Sequence, residues 1–325
     1  PGADATYLHR LPDVTIESIG DLLIDTKRLS PFLSDRIHDP RDPRLFEAPL
    51  LIVHKSPPAD VGRIRVAVSD KRVAYNETFY GYSPGKIQNA STFVRYLALV
   101  LGSKFALWFT LVTSGEFGFE REVVEKAALD QIPLPDFRKI TPSQRSQITQ
   151  LFDGLKSSEV EWDDVDRWVA ELYGIGANDA QIISDTLAFN LPFSKTKIAA
   201  QERPDLFTVM RFCERLGLEL IPWAKRFGRP LNIGIAADRP ASPWLGIYLR
   251  TSESSSDERT AQDWEGLLSV ADSTAATETI LEDRSGALLI GKLAQNRYWS
   301  DTQARLLAQH IIWSHSDLLK GSASR

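Results

Sequence analysis

The stretch YLALVLGSKFALWFTLV, residues 96 to 112, is the most apolar run in this chain. It is 17 residues long and contains Lys104, whereas a membrane-spanning helix needs about 20 apolar residues with few charges. We therefore predict that Thr92 to Val112 forms one long buried helix at the core of the first domain. The side chains predicted to face a sheet are Leu97, Leu101, Phe105 and Trp108.

Short strands precede this helix. LLIVHK (50–55) predicts one strand, and Ile64–Val68 and Arg72–Tyr75, joined by a turn at 69–71, predict two more. In the strand from Ile64, apolar residues alternate with polar ones, which is the period of a half-buried strand. Arg63 and Arg65 are therefore predicted to share its solvent-facing side.

The segment DQIPLPDF (130–137) follows the apolar run. Its two prolines lack a backbone N–H and disfavour a helical residue before them. They predict that a helix from Phe119 to Leu129 stops at a short, rigid, extended strip. The strip is expected to support the fold rather than to contact a partner, and the simplest alternative is that it only ends the helix.

The whole chain predicts an α+β fold. Its 325 residues are 43% hydrophobic and 25% charged, with one cysteine, as in a globular protein of a reducing compartment. We predict three domains: an α+β domain with a mixed sheet and the long buried helix (1–140), a small helical bundle (141–200) and a further α+β unit (201–325). Thr141 with Gln144, and Ser300 with Gln303, predict helix N-caps.

Charge is unevenly distributed along the chain. Residues 49–104 carry 8 basic and 3 acidic residues, a net of +5, whereas residues 141–200 carry 5 and 9, a net of −4. A polyanionic partner is therefore expected at 49–104. The alternative is that these charges only solvate a sheet.

Signatures of catalysis or metal binding are weak. Neither G-x-G-x-x-G nor G-x-x-x-x-G-K-[ST] occurs. His310 and His315 lie five residues apart, which predicts different helix faces. The acidic run from Glu159 to Asp166 lacks the glycine and spacing of a calcium loop. We predict no catalytic site and no metal site.

The order of sequence segments in 45–137 resembles that of a known protein family. RLFEAPLLIVHK (44–55), LALVLGSKFALWF (97–109) and IPLP (132–135) are similar to segments of the target-recognition domain of restriction–modification adenine-N6 DNA methyltransferases. In these enzymes the catalytic and recognition halves share one polypeptide. Gly102 stands where the family has an asparagine. The resemblance covers about residues 40–140 well, 141–200 loosely and 201–325 not at all.

The resemblance implies sequence-specific binding of double-stranded DNA, with phosphate contacts for affinity and base contacts for specificity. The residues expected to contact phosphates are Arg63, Arg65, Lys71 and Arg72. Those expected to contact base edges or stack on bases are Asn76, Tyr80, Tyr82 and Lys86. Tyr75 and Phe79 are expected in the core.

The same resemblance implies a missing catalytic half. The family's [N/D]-P-P-[Y/F] motif and glycine-rich S-adenosylmethionine turn do not occur, and the chain begins Pro1-Gly2-Ala3. We expect a cytoplasmic recognition fragment without cofactor, joined to an N-terminal methyltransferase domain that binds S-adenosylmethionine or to other restriction–modification subunits, with no membrane partner. One alternative is a protein-interaction or adaptor module of a defence or restriction complex. Another is an enzyme with an unrecognised site.

Overall fold

The chain forms two compact units, Pro1–Phe193 and Ser194–Arg325. The structure, a computed structural model, describes residues 2–20, 22–59, 61–118, 122–238, 242–251, 276–282 and 287–320, together with 264, 266, 267, 269–271 and 273. Both units combine helices with antiparallel sheets, so the predicted α+β class is confirmed. Among the described residues, parallel pairing occurs as two isolated bridges, Asp13 with Ala74 and Leu23 with Val68.

The first unit is built on a three-stranded sheet. Its elements in chain order are β1 (Ala3–Asp4), β2 (Arg36–Ile37), β3 (Leu50–His54), β4 (Val66–Ser69), β5 (Phe79–Tyr82), α1 (Ala90–Leu101), α2 (Lys104–Thr113), α3 (Lys126–Asp130), α4 (Pro142–Ser157), α5 (Trp162–Tyr173) and α6 (Ala177–Asn190). The order β4-β3-β5 places β3 in the centre, with Leu51 opposite Val68 and Tyr82.

Both faces of this sheet are covered. Leu51 and Val53 belong to the core that contains α1, whereas Leu50 and Ile52 belong to a second core made with the N-terminal segment. Every residue of β3 and β4 is buried. The predicted half-exposed pattern at Ile64–Val68 is therefore wrong, because the N-terminal segment occupies the face that the sequence assigns to solvent. Within the described ranges, the predicted strand Arg72–Tyr75 makes one bridge, that of Ala74 with Asp13.

The predicted single helix is two helices bent by 66°. Ser103 begins α2 by accepting a hydrogen bond from the Ala106 N–H, and a Cβ built on Gly102 would lie 2.4 Å from the Trp162 ring. Leu97 and Leu101 are buried as predicted. The bend turns α2 toward the bundle.

Phe105 and Trp108 are accordingly only half-buried, and the Phe105 ring packs on Tyr173 of α5 with ring centroids 4.4 Å apart. The prediction that they face the sheet is not met.

No single described helix is long and apolar enough to cross a membrane, although α1 and α2 together reach the required length and composition.

The proline strip packs as scaffold. Ile132 is buried, and the Tyr96 hydroxyl donates a 3.1 Å hydrogen bond to the Pro135 carbonyl. The helix before the strip, α3, covers only Lys126–Asp130, which is shorter than predicted. Residues 119–121 of that prediction lie outside the described residues.

Helices α4 to α6 do not form a separate domain. Ile148, Val165 and Ile183, one from each helix, belong to the same core as α1. The compact units are therefore two where the sequence predicts three, because the amphipathic helices bury their apolar faces against α1 and α2. The Thr141 capping box forms as predicted, and α5 ends at Gly174 in the αL conformation.

The second unit layers helices on a four-stranded sheet. Its elements are α7 (Ser194–Gln201), α8 (Leu206–Arg226), β6 (Asn232–Asp238), β7 (Trp244–Arg250), β8 (Glu278–Glu282), β9 (Leu288–Leu293), α9 (Asp301–Ser314) and α10 (Ser316–Lys320). The sheet order is β6-β7-β9-β8. Helices α8 and α9 share one core with Ile247 and Ile290, while Trp264 and Leu267 pack with Leu289 in another. Ser300 caps α9 as predicted.

Candidate nucleic-acid interface

A cleft of about 760 Å³ opens in the first unit beside the turn that follows β4. We call it the basic cleft, because four exposed cationic side chains line it together with two carboxylates, Asp25 and Asp70. The four cations are Lys27, Arg28, Lys71 and Lys156. They come from three segments that are far apart in sequence, so the cleft exists only in the folded unit.

Short local hydrogen bonds fix these segments. The Asp25 carboxylate accepts a 3.1 Å hydrogen bond from the Lys27 N–H and lies 3.2 Å from the Arg28 Nε, which holds the 3₁₀ turn Thr26–Arg28. The buried Ser69 hydroxyl donates to the Lys71 carbonyl at 2.7 Å and accepts from its N–H at 3.3 Å. The backbones that carry Lys27, Arg28 and Lys71 are therefore constrained, while their charged ends remain in solvent.

Trp162, the first residue of α5, also lines the cleft. The Arg63 guanidinium lies 5.3 Å from the centre of its ring, which is cation–π distance. The ring is thus held between Arg63 and the close approach of Gly102.

Arg63 is buried and ion-paired, not on a solvent-facing side as predicted. Its side chain is only 7% exposed, and its guanidinium donates to both oxygens of Asp166 at 2.8 and 2.5 Å and to Asp163 at 3.2 Å. A guanidinium with this bidentate partner has few donors left for an incoming anion. The prediction for Arg63 is corrected, because the acidic start of α5 lies against it.

Lys104 belongs to the same network. Its ammonium lies 3.0 Å from Asp163, and its backbone N–H donates to Asp166 at 2.9 Å. The hydrogen bond and charge of Lys104 hold the pKa of the Asp163 carboxyl below its usual value, against the opposing effect of burial. The network joins the segment before β4, the start of α2 and the start of α5.

The other predicted phosphate contacts differ in exposure. Arg65 is half-buried, and its charge adds to the burial of His54, which is the main cause of the lowered pKa of that imidazole. Lys71 lines the basic cleft. Arg72 is exposed, and its guanidinium donates to the Tyr7 carbonyl at 3.4 Å.

Two of the predicted base contacts hold α3 in place. The Tyr80 hydroxyl donates to the Val124 carbonyl at 3.3 Å and accepts from the Lys126 N–H at 3.1 Å. The Tyr82 hydroxyl donates to Asp130 at 3.1 Å, and burial raises its pKa. Both hydroxyls therefore pack against α3, which lies over these two side chains of β5, while their base contacts stay predictions.

Asn76 and Lys86 are both exposed. The Asn76 side-chain oxygen accepts a 2.9 Å hydrogen bond from the Thr78 N–H. Lys86 lies in the loop 83–89, which lines a groove with Arg44. Tyr75 and Phe79 are buried, as predicted.

The strand register separates the predicted residues into two groups. Leu50 pairs with Ser69 and Leu51 with Tyr82, so the Lys71 turn and the Lys86 loop leave the sheet at one end of β3. His54 pairs with Phe79, so Asn76 and Arg65 lie toward the other end. A five-residue strand separates these ends by about 13 Å.

Three residues of the cleft were missed by the sequence predictions: Lys27, Arg28 and Lys156. The adjacent pair Lys27-Arg28 was the only local signal, and Lys156 lies in a segment of net negative charge. Their convergence depends on long-range packing of α4 near the Ser69 turn.

Several motifs do not form sites. The sequence GYSPG (81–85) fits the G-x-S-x-G pattern of hydrolases, in which the serine occupies a sharp strand-to-helix turn. Ser83 instead follows an edge strand of an antiparallel sheet and has no positive φ. The next helix, α1, begins only at Ala90. A Cβ on Gly81 would lie 2.0 Å from the Tyr75 hydroxyl. Gly85 lies in the same loop, and Gly115 and Gly118 follow α2, so the four glycines form no strand-to-helix cofactor turn.

Possible metal ligands are sparse in the described part of the chain, where no group of three or more His, Cys, Asp or Glu side chains could hold a metal. The rings of His310 and His315 lie 6.0 Å apart, which corrects the expectation of different helix faces. The reason is that α9 ends at Ser314.

Comparisons with protein-family models, with curated proteins and with solved structures give no match to this chain.

Proposed function

We propose that the first unit is a DNA-binding module, the target-recognition part of a restriction–modification adenine-N6 methyltransferase that acts in the cytoplasm. The observation that carries this proposal is the basic cleft, in which Lys27, Arg28, Lys71 and Lys156 converge. Cations that converge from separate segments suit a phosphate backbone, whose binding depends mainly on charge.

The ion pairs of the first unit also favour the basic cleft as the DNA-binding surface. Asp163 and Asp166, which belong to the acidic segment, are neutralised by Arg63 and Lys104. Of the cleft cations, Arg28 has a carboxylate partner in Asp25 at the edge of the cleft. The exposed Arg72 extends the positive charge beyond the Lys71 turn.

In this proposal, base reading falls to the loop 83–89, since Lys86 leaves the sheet at the same end as Lys71. The chain supplies DNA binding, and the S-adenosylmethionine site belongs to a catalytic domain on the parent polypeptide or to a partner subunit.

Fluorescence anisotropy with a labelled DNA duplex tests the proposal. The full chain should bind with Kd of roughly 10⁻⁴ to 10⁻⁶ M for non-specific sequence, and binding should weaken between about 50 and 200 mM salt. Replacing Lys27, Lys71 and Lys156 with Gln should weaken binding to every sequence. It should also reduce the salt slope by up to about 0.9 for each lost phosphate contact.

The matched control replaces three exposed lysines of the second unit, Lys195, Lys197 and Lys225, with Gln. This variant has the same change in net charge and should retain most of the affinity. Equal losses in the two variants, or no salt-dependent binding by the unmodified chain, would refute the cleft as the DNA-binding surface.

A second candidate function is that of a protein-interaction module, and apolar exposure in the second unit favours it. Phe207 and Met210 on α8 are 73% and 58% exposed, and Trp313 on α9 is 85% exposed. Exposed apolar patches commonly mark interaction sites. If the duplex does not bind, co-purification with restriction–modification subunits, and its loss on Phe207→Ser, would support this candidate.

A further inference from the structure

One side of α8 in the second unit is apolar although it lies in solvent. Phe207, Met210 and Leu218 are 73%, 58% and 57% exposed. The opposite side of the helix carries Phe212 and Leu216, which are fully buried in the core of the unit. The exposed apolar side is therefore not needed for that core, and such a surface is typical of an interaction site.

The exposed residues are spaced symmetrically. They lie at intervals of three, four, four and three positions, which follow one side of a helix, and all five are at least partly exposed. We call them the α8 face: Phe207, Met210, Glu214, Leu218 and Ile221. Glu214 is the centre, and apolar residues lie four and seven positions to either side of it. The face therefore matches itself when a second copy is turned end for end, as a two-fold interface requires.

The charges at the ends of α8 fit the same arrangement. Asp205 caps the N-terminus and accepts a 2.7 Å hydrogen bond from the Thr208 N–H. Lys225 and Arg226 lie in the last turn, and neither has an ion-pair partner in the described part of the chain. Antiparallel packing about Glu214 places Asp205 opposite position 223 of the second copy, about 3 Å along the axis from its Lys225. Opposite charges therefore meet at both ends of the helix pair, where the helix dipoles also oppose each other.

Glu214 itself is the unfavourable position, because it faces the same residue of the second copy across the axis. Arg211, three residues earlier, is 52% exposed, and its Nε lies 3.0 Å from Asp301. Its remaining donors are available to the second copy's Glu214, which lies within one helical turn in an antiparallel pair. The repulsion at the axis is therefore reduced but not removed, which favours a weak dimer.

We infer that the α8 face is a homodimer interface, in which two copies of this chain pack α8 against α8, antiparallel, about a two-fold axis at Glu214. One pair of helices covers less than the ~1,200 Å² of a stable interface, so Kd should be about 10–100 µM. The inference assigns to a second copy the exposed side chains on which the protein-interaction candidate rests. It does not depend on DNA binding.

Sedimentation velocity of the full chain, without nucleic acid, tests for the dimer. The sedimentation coefficient should increase with concentration over about 1–500 µM, a range that brackets the expected Kd. Leu218→Ser should raise Kd by about tenfold or more, because a symmetric dimer loses the contact twice. Leu33→Ser is the matched control, since it removes a 72% exposed leucine of the first unit and should leave Kd unchanged.

Cysteine cross-linking tests the position of the axis, in a background with Cys213→Ser. Facing Cα atoms of two packed helices lie about 4–6 Å apart, which permits a disulfide. Glu214→Cys should therefore form a covalent dimer with itself under mild oxidation. Met210→Cys should not, since its two copies are about 12 Å apart along the axis. It should instead cross-link to Leu218→Cys when the two variants are mixed.

A chain that stays monomeric up to about 500 µM would overturn the homodimer, even if another protein binds the α8 face. An unchanged Kd in Leu218→Ser, or an equal rise in Leu33→Ser, would remove α8 from the interface. Self-cross-linking of Met210→Cys that is faster than its cross-linking to Leu218→Cys would overturn the antiparallel arrangement. Circular dichroism of each variant reports whether it is folded before its Kd is interpreted.

Discussion

Arg63 in the first unit and Lys292 in the second are both buried cations, but they are held differently. Arg63 has two carboxylate partners, Asp163 and Asp166, and lies over the Trp162 ring. Lys292, 1% exposed, has Glu278 as its ion-pair partner and lies 5.5 Å from the centre of the Phe212 ring.

The difference follows from the chemistry of the two side chains. A guanidinium has five donors in a planar fork and satisfies several acceptors at once, whereas an ammonium is a compact charge that loses more hydration when it is buried. Burial lowers the pKa of Lys292, and Glu278 opposes that shift. Arg63 joins segments about a hundred residues apart, but Lys292 only links the neighbouring strands β8 and β9, where it pairs with Glu278 in register.

The largest expected effect is that of Arg63→Met. Removing one partner of a buried ion pair costs about 3–5 kcal/mol, because the remaining charges stay desolvated. Urea denaturation should show this loss in the transition of the first unit. A loss below about 1 kcal/mol, which is the usual contribution of an exposed ion pair, would contradict the difference between Arg63 and Lys292 in their contribution to stability.

Leu101→Ala tests whether the sheet and helices α4 to α6 unfold as one cooperative unit, as the ion pairs between Arg63 and α5 predict. A buried leucine truncation costs about 2–5 kcal/mol, and Leu101 is 4% exposed. The loss should affect probes in the sheet and in α5 equally. The matched change in the second core is Leu216→Ala, and separate transitions for the sheet and for α5 would contradict a single unit.

Lys292→Met should have a small effect, from none to about 1 kcal/mol of stabilisation, because replacing a buried charge with an apolar group is often neutral or favourable. Glu278→Gln is the informative control, since it leaves the ammonium buried without its anion and should destabilise the second unit. If Lys292→Met destabilises as much as Arg63→Met, the two cations have equivalent roles.

The smallest effect is a pH dependence. The pKa of Lys292 in the folded state is below its ordinary 10.5, so the unfolded chain binds more protons between the two values. The free energy of unfolding should therefore rise with pH in that window, as this ammonium loses its proton. Denaturation at several pH values up to about 10.5 should show a steeper rise for the unmodified chain than for Lys292→Met. Equal slopes would contradict the lowered pKa.

Much of the local structure is predictable from sequence. The Thr141 and Ser300 caps are correctly placed, and strand β3 (Leu50–His54) lies within the predicted strand 50–55. The burial of Leu97 and Leu101 also follows from the apolar pattern. Such signals act within a few residues, because a cap bonds the backbone three positions away and periodicity is a property of one element.

The candidate sites are less predictable. Alternation along the strand predicted from Ile64 indicates an exposed Arg63, but the residues that bury it lie about a hundred positions later. The same holds for Lys156 in the basic cleft and for Tyr80 beneath α3. Charge counts locate positive residues along the chain but do not separate those neutralised by a distant carboxylate from those in solvent.

Sequence alone determined the α+β class, the caps at Thr141 and Ser300 and the burial of Leu97 and Leu101. The tertiary structure decided the bend at Gly102, where Trp162 packs against the backbone, and the partner of each charge. The physical reason is the distance along the chain over which each signal acts. Caps and apolar patterns are fixed by neighbours in the chain, whereas a cation's availability depends on which carboxylate the fold brings within about 4 Å.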